Sequence, residues 1–327
     1  MKRLLCYILI LLTFCGCEKK EDKIEISFDD TYYSVVSPYK EAIGSYSIRS
    51  YDKSEVETML MNISSDYFKT NNSLYQEGQY LTSEEIKELV TKYNQIEELT
   101  MDNISIQPQY ITTIYEQNYL ATNNHLKGIS LAIVLDNKQY YEQNAYKLVS
   151  EDIVLEHGKK CANELLNYMR SKEELANTKI VIGIYLQNND NLKGGFKYVG
   201  STEKEDIHFD YVDYHYQLLD SNYVMNHDSN TYNHVLALKN SLKEYNVYTN
   251  VTGLYKGDTL LNITITINRN YFNQGEILNI SKIITENIAN FDSNITIKVY
   301  LKSNNVKKAF LNKKSNANKI ETYILEE

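Results

Sequence analysis

The chain has 327 residues, and 34 basic against 43 acidic residues give it a formal net charge of −9. This acidity makes nucleic acid and anionic lipid head groups poor partners, because both carry the same sign of charge. The chain has only 4 cysteines, and a length of this order buries enough apolar surface for one or two cores without disulfides.

The first predicted element is an export signal over residues 1–16. Two basic residues precede an apolar run from Leu4 to Phe14. The run is shorter than the about 20 apolar residues of a spanning helix and matches the length of a signal-peptide core. Gly16 and Cys17 follow, and the charged segment 18–22 ends the apolar run.

The junction between Gly16 and Cys17 is similar to the lipobox of bacterial lipoproteins, although Phe14 stands at position −3, where leucine is usual. We therefore expect a lipoprotein-type signal peptidase to cleave before Cys17. Diacylglycerol and acyl groups on Cys17 would then anchor the protein on the extracytoplasmic face of the cell membrane. An ordinary cleaved signal or an uncleaved anchor is the alternative. Residues 17–37 are predicted to be the lipidated cysteine and a flexible tether, and Cys161 is left without a disulfide partner.

Residues 38–120 are predicted to be a mainly helical N-terminal part. Apolar residues recur at helical spacing over 55–67. Thr82 and Glu85 form the signature of a capping box in front of a second amphipathic run. A third helix is predicted over 110–120, just after a proline that a first helical turn tolerates.

Residues 121–327 are predicted to be an α+β part with a duplicated ββαββ unit at 128–200 and 252–325. Each copy opens with a hairpin, continues with an amphipathic helix and ends with two strands. The hairpin of the first copy is expected from 128–135 and 140–141. The fold class is therefore α+β, with mainly antiparallel sheets and helices packed on one face.

Enzyme signatures are missing from the sequence: it has no P-loop, Rossmann fingerprint, Gly-x-Ser-x-Gly elbow or Cys-x-x-Cys pair. Cys161 lies on the apolar stripe of a helix predicted over 151–170, which indicates a core thiol rather than a nucleophile. The glutamate pairs at 84–85, 97–98 and 173–174 fall at helix ends or on exposed faces, which is typical of helix solvation. We therefore expect no catalytic residue and no cofactor.

Histidine is concentrated in one region, and the candidates for a metal site are His208, His215, His227 and His234. Imidazoles beside aspartates would suit zinc. Their spacing is unfavourable, because no two lie four residues apart and a strand would direct His208 and His215 to opposite faces. We interpret them as solvated, with an exposed loop at 220–231. An envelope ligand-binding protein or metal-dependent hydrolase that uses loops around 195–235 is the alternative.

Five short stretches carry a family resemblance: Ser37–Glu41, Tyr75–Leu81, Glu116–Leu120, Gly158–Glu164 and Gly253–Lys256. They occur in the same order in the CamS lipoproteins of low-GC Gram-positive bacteria, the sex pheromone precursors, and the chain resembles that family over nearly its whole mature length. The stretch that begins at Gln76 is the most specific. Ile43-Gly44 stands where the family usually has Arg-Gly.

The resemblance implies that pheromone activity lies in the signal peptide. A short apolar peptide within Tyr7–Gly16 would be trimmed after lipoprotein cleavage, released and bound by a peptide receptor. Burying each apolar side chain there would contribute roughly 1.5–3 kcal/mol. The alternative is that the fragment is only degraded, since every lipoprotein signal peptide has this composition. The mature body is expected to have a non-enzymatic role.

Overall fold

The computed structural model describes residues 32–142, 145–188, 192–317 and 319–325. The predicted signal peptide and Cys17 lie outside the described residues. Residues from Tyr33 onward belong to one compact unit. Its described helices are α1 (Lys53–Ser64), α2 (Ser83–Tyr93), α3 (Glu151–Arg170), α4 (Asn222–His227), α5 (Ser229–Ser241) and α6 (Gln274–Ile288). None of these helices is long and apolar enough to cross a membrane.

The strands fall into two main sheets and two short hairpins. In chain order they are β1 (Ser34–Val35), β2 (Leu74–Glu77), β3 (Leu99–Met101), β4 (Ile104–Ile106), β5 (Ile111–Leu120), β6 (Leu126–Leu135), β7 (Lys138–Tyr140), β8 (Tyr146–Leu148), β9 (Lys179–Leu186), β10 (Gly195–Thr202), β11 (Phe209–Tyr211), β12 (Tyr214–Leu218), β13 (Tyr248–Lys256), β14 (Thr259–Arg269), β15 (Thr296–Ser303), β16 (Val306–Lys313) and β17 (Ile320–Ile324). The first sheet has the order β1-β2-β5-β6-β9-β10-β11, and the second has the order β12 to β17 in sequence.

The two sheets share a pattern of connections. In the first, the antiparallel hairpin β5–β6 leads through α3 to β9, which pairs parallel to β6 and antiparallel to β10. In the second, the hairpin β13–β14 leads through α6 to β15, which pairs parallel to β14 and antiparallel to β16. Most pairings are antiparallel, so the predicted α+β class with mainly antiparallel sheets is confirmed.

The first sheet is buried on both faces. One face packs Leu131 and Ile182 against α2 and α3. The opposite face packs Val134 and Tyr185 against α1. Because neither face meets water, β6 and β9 consist of almost continuous apolar residues. The expectation of helices on one face is wrong for this sheet.

The second sheet is covered by helices on one face, and its other face is covered only at the β12–β13 end, where Leu254 and Tyr216 pack against the core of the first sheet. Ile265, Val299 and Leu311 form a core with α5 and α6. The residues between them, such as Thr264, Thr266 and Tyr300, are partly exposed. This alternation is the period of a half-buried strand, and the sequence displays it over 261–267 and 295–301.

The N-terminal part differs from its predicted form. The helix expected over 110–120 is wrong, because these residues are β5 in the middle of the first sheet, and 38–120 is not mainly helical. Every residue of β5 is buried, so both its apolar and its polar side chains face inward and the strand period is hidden. Since β5 pairs with β6, a boundary at 120 would cut a hairpin.

Two further expectations are corrected. The opening hairpin of the first repeat is β5–β6, whereas the expected return strand at 140–141 overlaps β7, which pairs with β8 in a separate hairpin. The loop expected at 220–231 contains α4 and the start of α5. Ser221 and Asp228 cap these two helices through their side chains, which explains why a polar segment is helical. A sequence duplication remains a prediction.

Other predicted elements agree with the structure. The helix predicted over 151–170 has those bounds. Thr82 and Glu85 form both hydrogen bonds of the capping box at α2.

Candidate functional site

The four candidate histidines are not brought together. His208 is exposed, and its Nε2 lies 3.8 Å from the Asp210 carboxylate. His227 stacks on Tyr223 at the end of α4, and His234 on α5 contacts Phe291. In the part of the chain that the structure describes, no group of three or more His, Cys, Asp or Glu side chains is arranged to hold a metal.

His215 instead contributes to a polar pocket where the two sheets meet, which we call the junction pocket. Its volume is about 160 Å³. Its wall comes from the end of β9, the start of α3, the start of β10 and the first residues of β12. The lining residues discussed below are Glu151, Lys193, Lys197, Tyr214 and His215. The pocket overlaps the beginning of the region 195–235 in which a ligand site was anticipated.

Glycine allows the two sheets to approach each other at this pocket. A Cβ atom on Gly195, the first residue of β10, would lie 1.9 Å from the carbonyl oxygen of Tyr214 on β12. A Cβ on Gly194 would lie 2.2 Å from the carbonyl oxygen of Leu186. No side chain fits at either position, so the Gly-Gly pair is required by the close approach of three backbones.

One side of the pocket is a fixed charge cluster. Lys197 Nζ donates to Asp213 Oδ1 at 2.6 Å, and His215 Nδ1 lies 3.3 Å from Asp213 Oδ2. Burial alone would raise the pKa of Asp213, but the hydrogen bond and charge of Lys197 outweigh it and the pKa is lowered. The His215 ring stacks on Tyr255 with centroids 5.6 Å apart, so its orientation is fixed on both sides.

A second charge cluster lies beneath the pocket. The buried carboxylate of Glu55 on α1 accepts hydrogen bonds from Lys193 and from the hydroxyl of Tyr216. Burial raises the pKa of Tyr216, and the neighbouring Glu55 raises it further. Lys193 also lies over the Tyr216 ring, 5.7 Å from its centroid. These contacts connect α1, β12 and the segment before β10, and they hold Lys193 in place.

A third cluster joins stretches that are far apart in the sequence. Glu116 on β5 accepts hydrogen bonds from the backbone amides of Gln79, Tyr80 and Leu81 at 2.8–3.2 Å. Burial raises the pKa of Glu116, and the three amide donors oppose that rise. A Cβ on Gly78 would lie 2.8 Å from Glu116 Cβ. The carboxylate therefore fixes the path of the loop after β2.

The same loop receives the segment before α1. Ile43 donates its amide to the carbonyl of Gly78 at 3.1 Å, and Gln79 Nε2 donates to the carbonyl of Glu41 at 2.7 Å. A Cβ on Gly44 would lie 2.0 Å from the carbonyl oxygen of Leu81. Three of the five stretches that carry the family resemblance thus meet in one place, and the glycine at 44 is required there.

Sequence reasoning did not find the carboxylate pair of Glu57 and Glu77 beside this loop. The Glu77 carboxylate accepts from Tyr115 at 3.3 Å and from Tyr39 at 3.4 Å. Burial raises the pKa of Glu57, and the negative charge of Glu77 adds to that rise. The two glutamates lie on a helix and a strand that only the tertiary fold brings together, so no local spacing could reveal them.

Cys161 is buried, as its position on the α3 stripe predicts. Burial raises the pKa of its thiol to about 12. His157 Nε2 lies 3.3 Å from the sulfur and 2.7 Å from the carbonyl oxygen of Tyr93. A neutral, buried thiol beside a histidine that faces a backbone carbonyl has the properties of a core side chain.

Comparisons with known proteins agree with this architecture. The family model described as CamS sex pheromone cAM373 precursor matches residues 42–319. A solved sex pheromone precursor from Lactobacillus salivarius subsp. salivarius UCC118 is 22% identical, with a TM-score of 0.74 over 83% of this chain and 86% of that one. The C-terminal domain of the sex pheromone staph-cAM373 precursor from Staphylococcus aureus is 19% identical, with a TM-score of 0.72 over 85% of this chain and 98% of that one. Comparison with curated protein sequences gives no significant match.

Proposed function

This chain belongs to the CamS family, and on that premise we propose that it is a lipid-anchored surface precursor whose signal peptide supplies a short apolar pheromone peptide. The match over residues 42–319 is the observation that carries the proposal. The first seventeen residues support it, because an apolar core of signal-peptide length ends at Gly16-Cys17. The mature body would remain on the outer face of the membrane in a non-enzymatic role.

Anchoring is tested by replacing Cys17. Cys17→Ser should abolish both lipid attachment and lipoprotein-type cleavage, because serine has no thiol to acylate. Cells are labelled with a fatty-acid probe, and the label and size of the protein are compared with wild type. Cys15→Ser is the matched control and should keep the label. A Cys17→Ser protein that still carries label and runs at mature size would show that Cys17 is not the anchor.

Release of the peptide is tested by separating the signal from the body. A fusion of residues 1–22 to an unrelated secreted domain should still release fragments of Tyr7–Gly16. A foreign lipoprotein signal on residues 18–327 should not, although its body is anchored normally. The reason is that cleavage of one peptide bond separates the signal peptide from the body, so each can be produced without the other. Mass spectrometry of the culture medium with a mating-response assay measures the outcome, and absence of any fragment from the native gene would exclude the pheromone role.

The junction pocket favours a second role for the body, as a binding protein for a small polar ligand. Glu151, Lys193 and Lys197 all line the junction pocket. One bound ligand could therefore contact both an acidic and a basic side chain. A zwitterion such as an amino acid or a short peptide suits this pairing. Because Lys197 is paired with Asp213 and Lys193 with Glu55, the pocket favours binding over metal-dependent hydrolysis.

The binding role is tested with thermal-shift titrations against amino acids and dipeptides. Glu151→Gln should weaken the response to zwitterions, because it removes the carboxylate that would meet the ligand's amine. Asp152→Asn is the matched control, since Asp152 lies in the same helical turn but lines a different groove. Equal responses of both variants, or no response of the wild type, would argue against a ligand in this pocket.

A further inference from the structure

Over β14 to β17, the second sheet has a face that no helix covers among the described residues. Helices α5 and α6 pack on the side of Ile265 and Val299, so the alternate residues of β14 to β17 lie on the other side. We call this the outer face and define it by Thr264, Thr266, Lys298, Tyr300, Phe310 and Tyr323. The strand register places these residues beside one another across four strands.

The outer face is basic although the protein is acidic. Between Asp292 and Glu321 the sequence has seven lysines and no acidic residue, whereas the whole chain has a net charge of −9. Lys298 and Lys302 lie on the outer side of β15, and Lys307 pairs with Lys302 across the bulge in β16. Within residues 192–317 and 319–325, none of these three lysines forms an ion pair. Their charge is therefore available to a partner.

A row of aromatic rings crosses the same face. The rings of Tyr300 and Phe310 are 5.3 Å apart, and those of Phe310 and Tyr323 are 6.2 Å apart. Lys307 and Lys302 lie over the Tyr300 ring, 4.9 Å and 6.0 Å from its centroid. The Tyr300 ring restricts the side chains of Lys302 and Lys307, so these lysines would lose less conformational entropy on binding a partner.

The outer face also carries Glu321 on β17, whose carboxylate accepts a hydrogen bond from Asn312 at 3.4 Å. The outer-face residues of β14 are uncharged hydrogen-bonding groups. Thr264 lies beside Lys298, Thr266 beside Tyr300 and Asn268 beside Lys302. Threonine and asparagine side chains donate to and accept from hydroxyl groups. The outer face therefore places lysines, which suit acidic groups, beside threonine and asparagine, which suit hydroxyl groups.

We infer that the outer face of the second sheet binds an acidic glycan, a polymer of hydroxylated rings that carries carboxylate or phosphate groups at intervals. The lysines would meet the acidic groups, the threonines and asparagines the hydroxyls, and the aromatic row the apolar ring faces. The choice of an envelope polymer rests on the proposed anchoring.

The chemistry of the face favours this occupant over other polyanions. A lipid surface would bring the row of threonines and asparagines against a mobile layer of head groups, where they would lose water without gaining partners at fixed positions. Nucleic acid carries one charge per about 1.7 Å of duplex, a density that the acidic remainder of the protein repels. A glycan with separated charges matches lysines that lie four residues apart on a strand, roughly 13 Å.

The test measures binding of the purified full-length chain to carboxylated and phosphorylated glycans by affinity electrophoresis. Neutral dextran, double-stranded DNA and phosphatidylglycerol vesicles are the comparison probes. The combined variant Lys298→Gln, Lys302→Gln and Lys307→Gln should weaken glycan binding by about tenfold or more. The matched control combines Lys87→Gln, Lys243→Gln and Lys282→Gln, which removes the same charge from exposed positions elsewhere and should leave binding within about twofold of wild type.

Tyr323→Ala distinguishes a glycan surface from general attraction to polyanions. It should weaken glycan binding by about threefold to tenfold and leave any DNA binding unchanged, because it removes a ring and no charge. Equal losses in the two lysine variants, equal binding of DNA or vesicles, or no retention by acidic glycans would each overturn the inference. Repeating the assay with Cys17→Ser separates the two proposals, since the outer face should bind equally well when the anchor is missing.

Discussion

The two sheets have the same hairpin–helix–strand connections but meet water differently. The first is buried on both faces, and polar residues of β5 such as Thr113, Glu116 and Gln117 have partners inside the protein. The second is open on one face over β14 to β17, and polar residues of β14 such as Thr264 and Thr266 remain partly exposed. One pattern of connections therefore supports a sheet that depends on internal hydrogen bonds and a sheet that offers its polar groups to the outside.

The largest expected contrast concerns polar residues on the first strand of each hairpin. Glu116→Ala should lower the free energy of unfolding by about 4 kcal/mol, because it leaves three backbone amides without their acceptor. Thr252→Ala on β13 should cost less than about 1 kcal/mol, because Thr252 is partly exposed. Urea unfolding of both variants measures the difference. Equal costs would show that the loop after β2 does not depend on Glu116.

The contact between the sheets is tested at Gly195. Gly195→Ala should cost about 3 kcal/mol, because its methyl group would collide with the carbonyl of Tyr214. Gly275→Ala in the first turn of α6 is the matched change, and its Cβ would meet only Asn273 Oδ1 at 3.3 Å. We expect it to shift stability by less than about 0.5 kcal/mol. Calorimetry of the two variants decides whether the junction is as close as the structure has it.

Exchanging a methyl for a hydroxyl tests the coverage of each sheet directly. Val134→Thr places a hydroxyl in the buried face of the first sheet and should cost about 2 kcal/mol. Thr266→Val makes the reverse change on the outer face of the second sheet and should alter stability by less than about 0.5 kcal/mol. Chemical denaturation is the measurement. A large loss from Thr266→Val would mean that something in the folded chain covers the outer face.

The smallest expected contrast is in how much the capping-box glutamates of α2 and α6 contribute to stability in acid. Partial burial would raise the pKa of Glu85, but its bonds to Lys172, the Thr82 amide and Tyr168 lower it to about 2. Its contribution is present above the unfolded-state pKa of about 4.3 and is lost as pH falls toward 2. The equivalent Glu276 at α6 is about as exposed as Glu85, and its pKa is lowered by the Asn273 amide and then by Arg269.

Glu85→Gln should therefore flatten the fall in melting temperature between pH 5 and about pH 2. Glu276→Gln should flatten it less, because fewer partners lower the pKa of Glu276 than lower that of Glu85. Melting curves at half-unit pH steps compare the two. If both variants keep the slope of the wild type, the acid sensitivity arises from other carboxylates.

The sequence by itself predicted the elements whose buried and exposed residues repeat with the period of a helix or a strand. The stripe of α3, the capping box of α2 and the alternation of β14 and β15 are local patterns, and the structure has each of them. The family resemblance also came from the sequence, and the family model confirms it.

Tertiary structure decided what local patterns could not express. β5 was mistaken for a helix because neighbouring segments bury both of its faces, which removes the alternation that identifies a strand. The junction pocket, the hydrogen bonds of Glu116 to the loop after β2, and the open outer face each join residues from distant parts of the chain. Their chemistry depends on which faces are covered, and that is settled only when the two sheets pack.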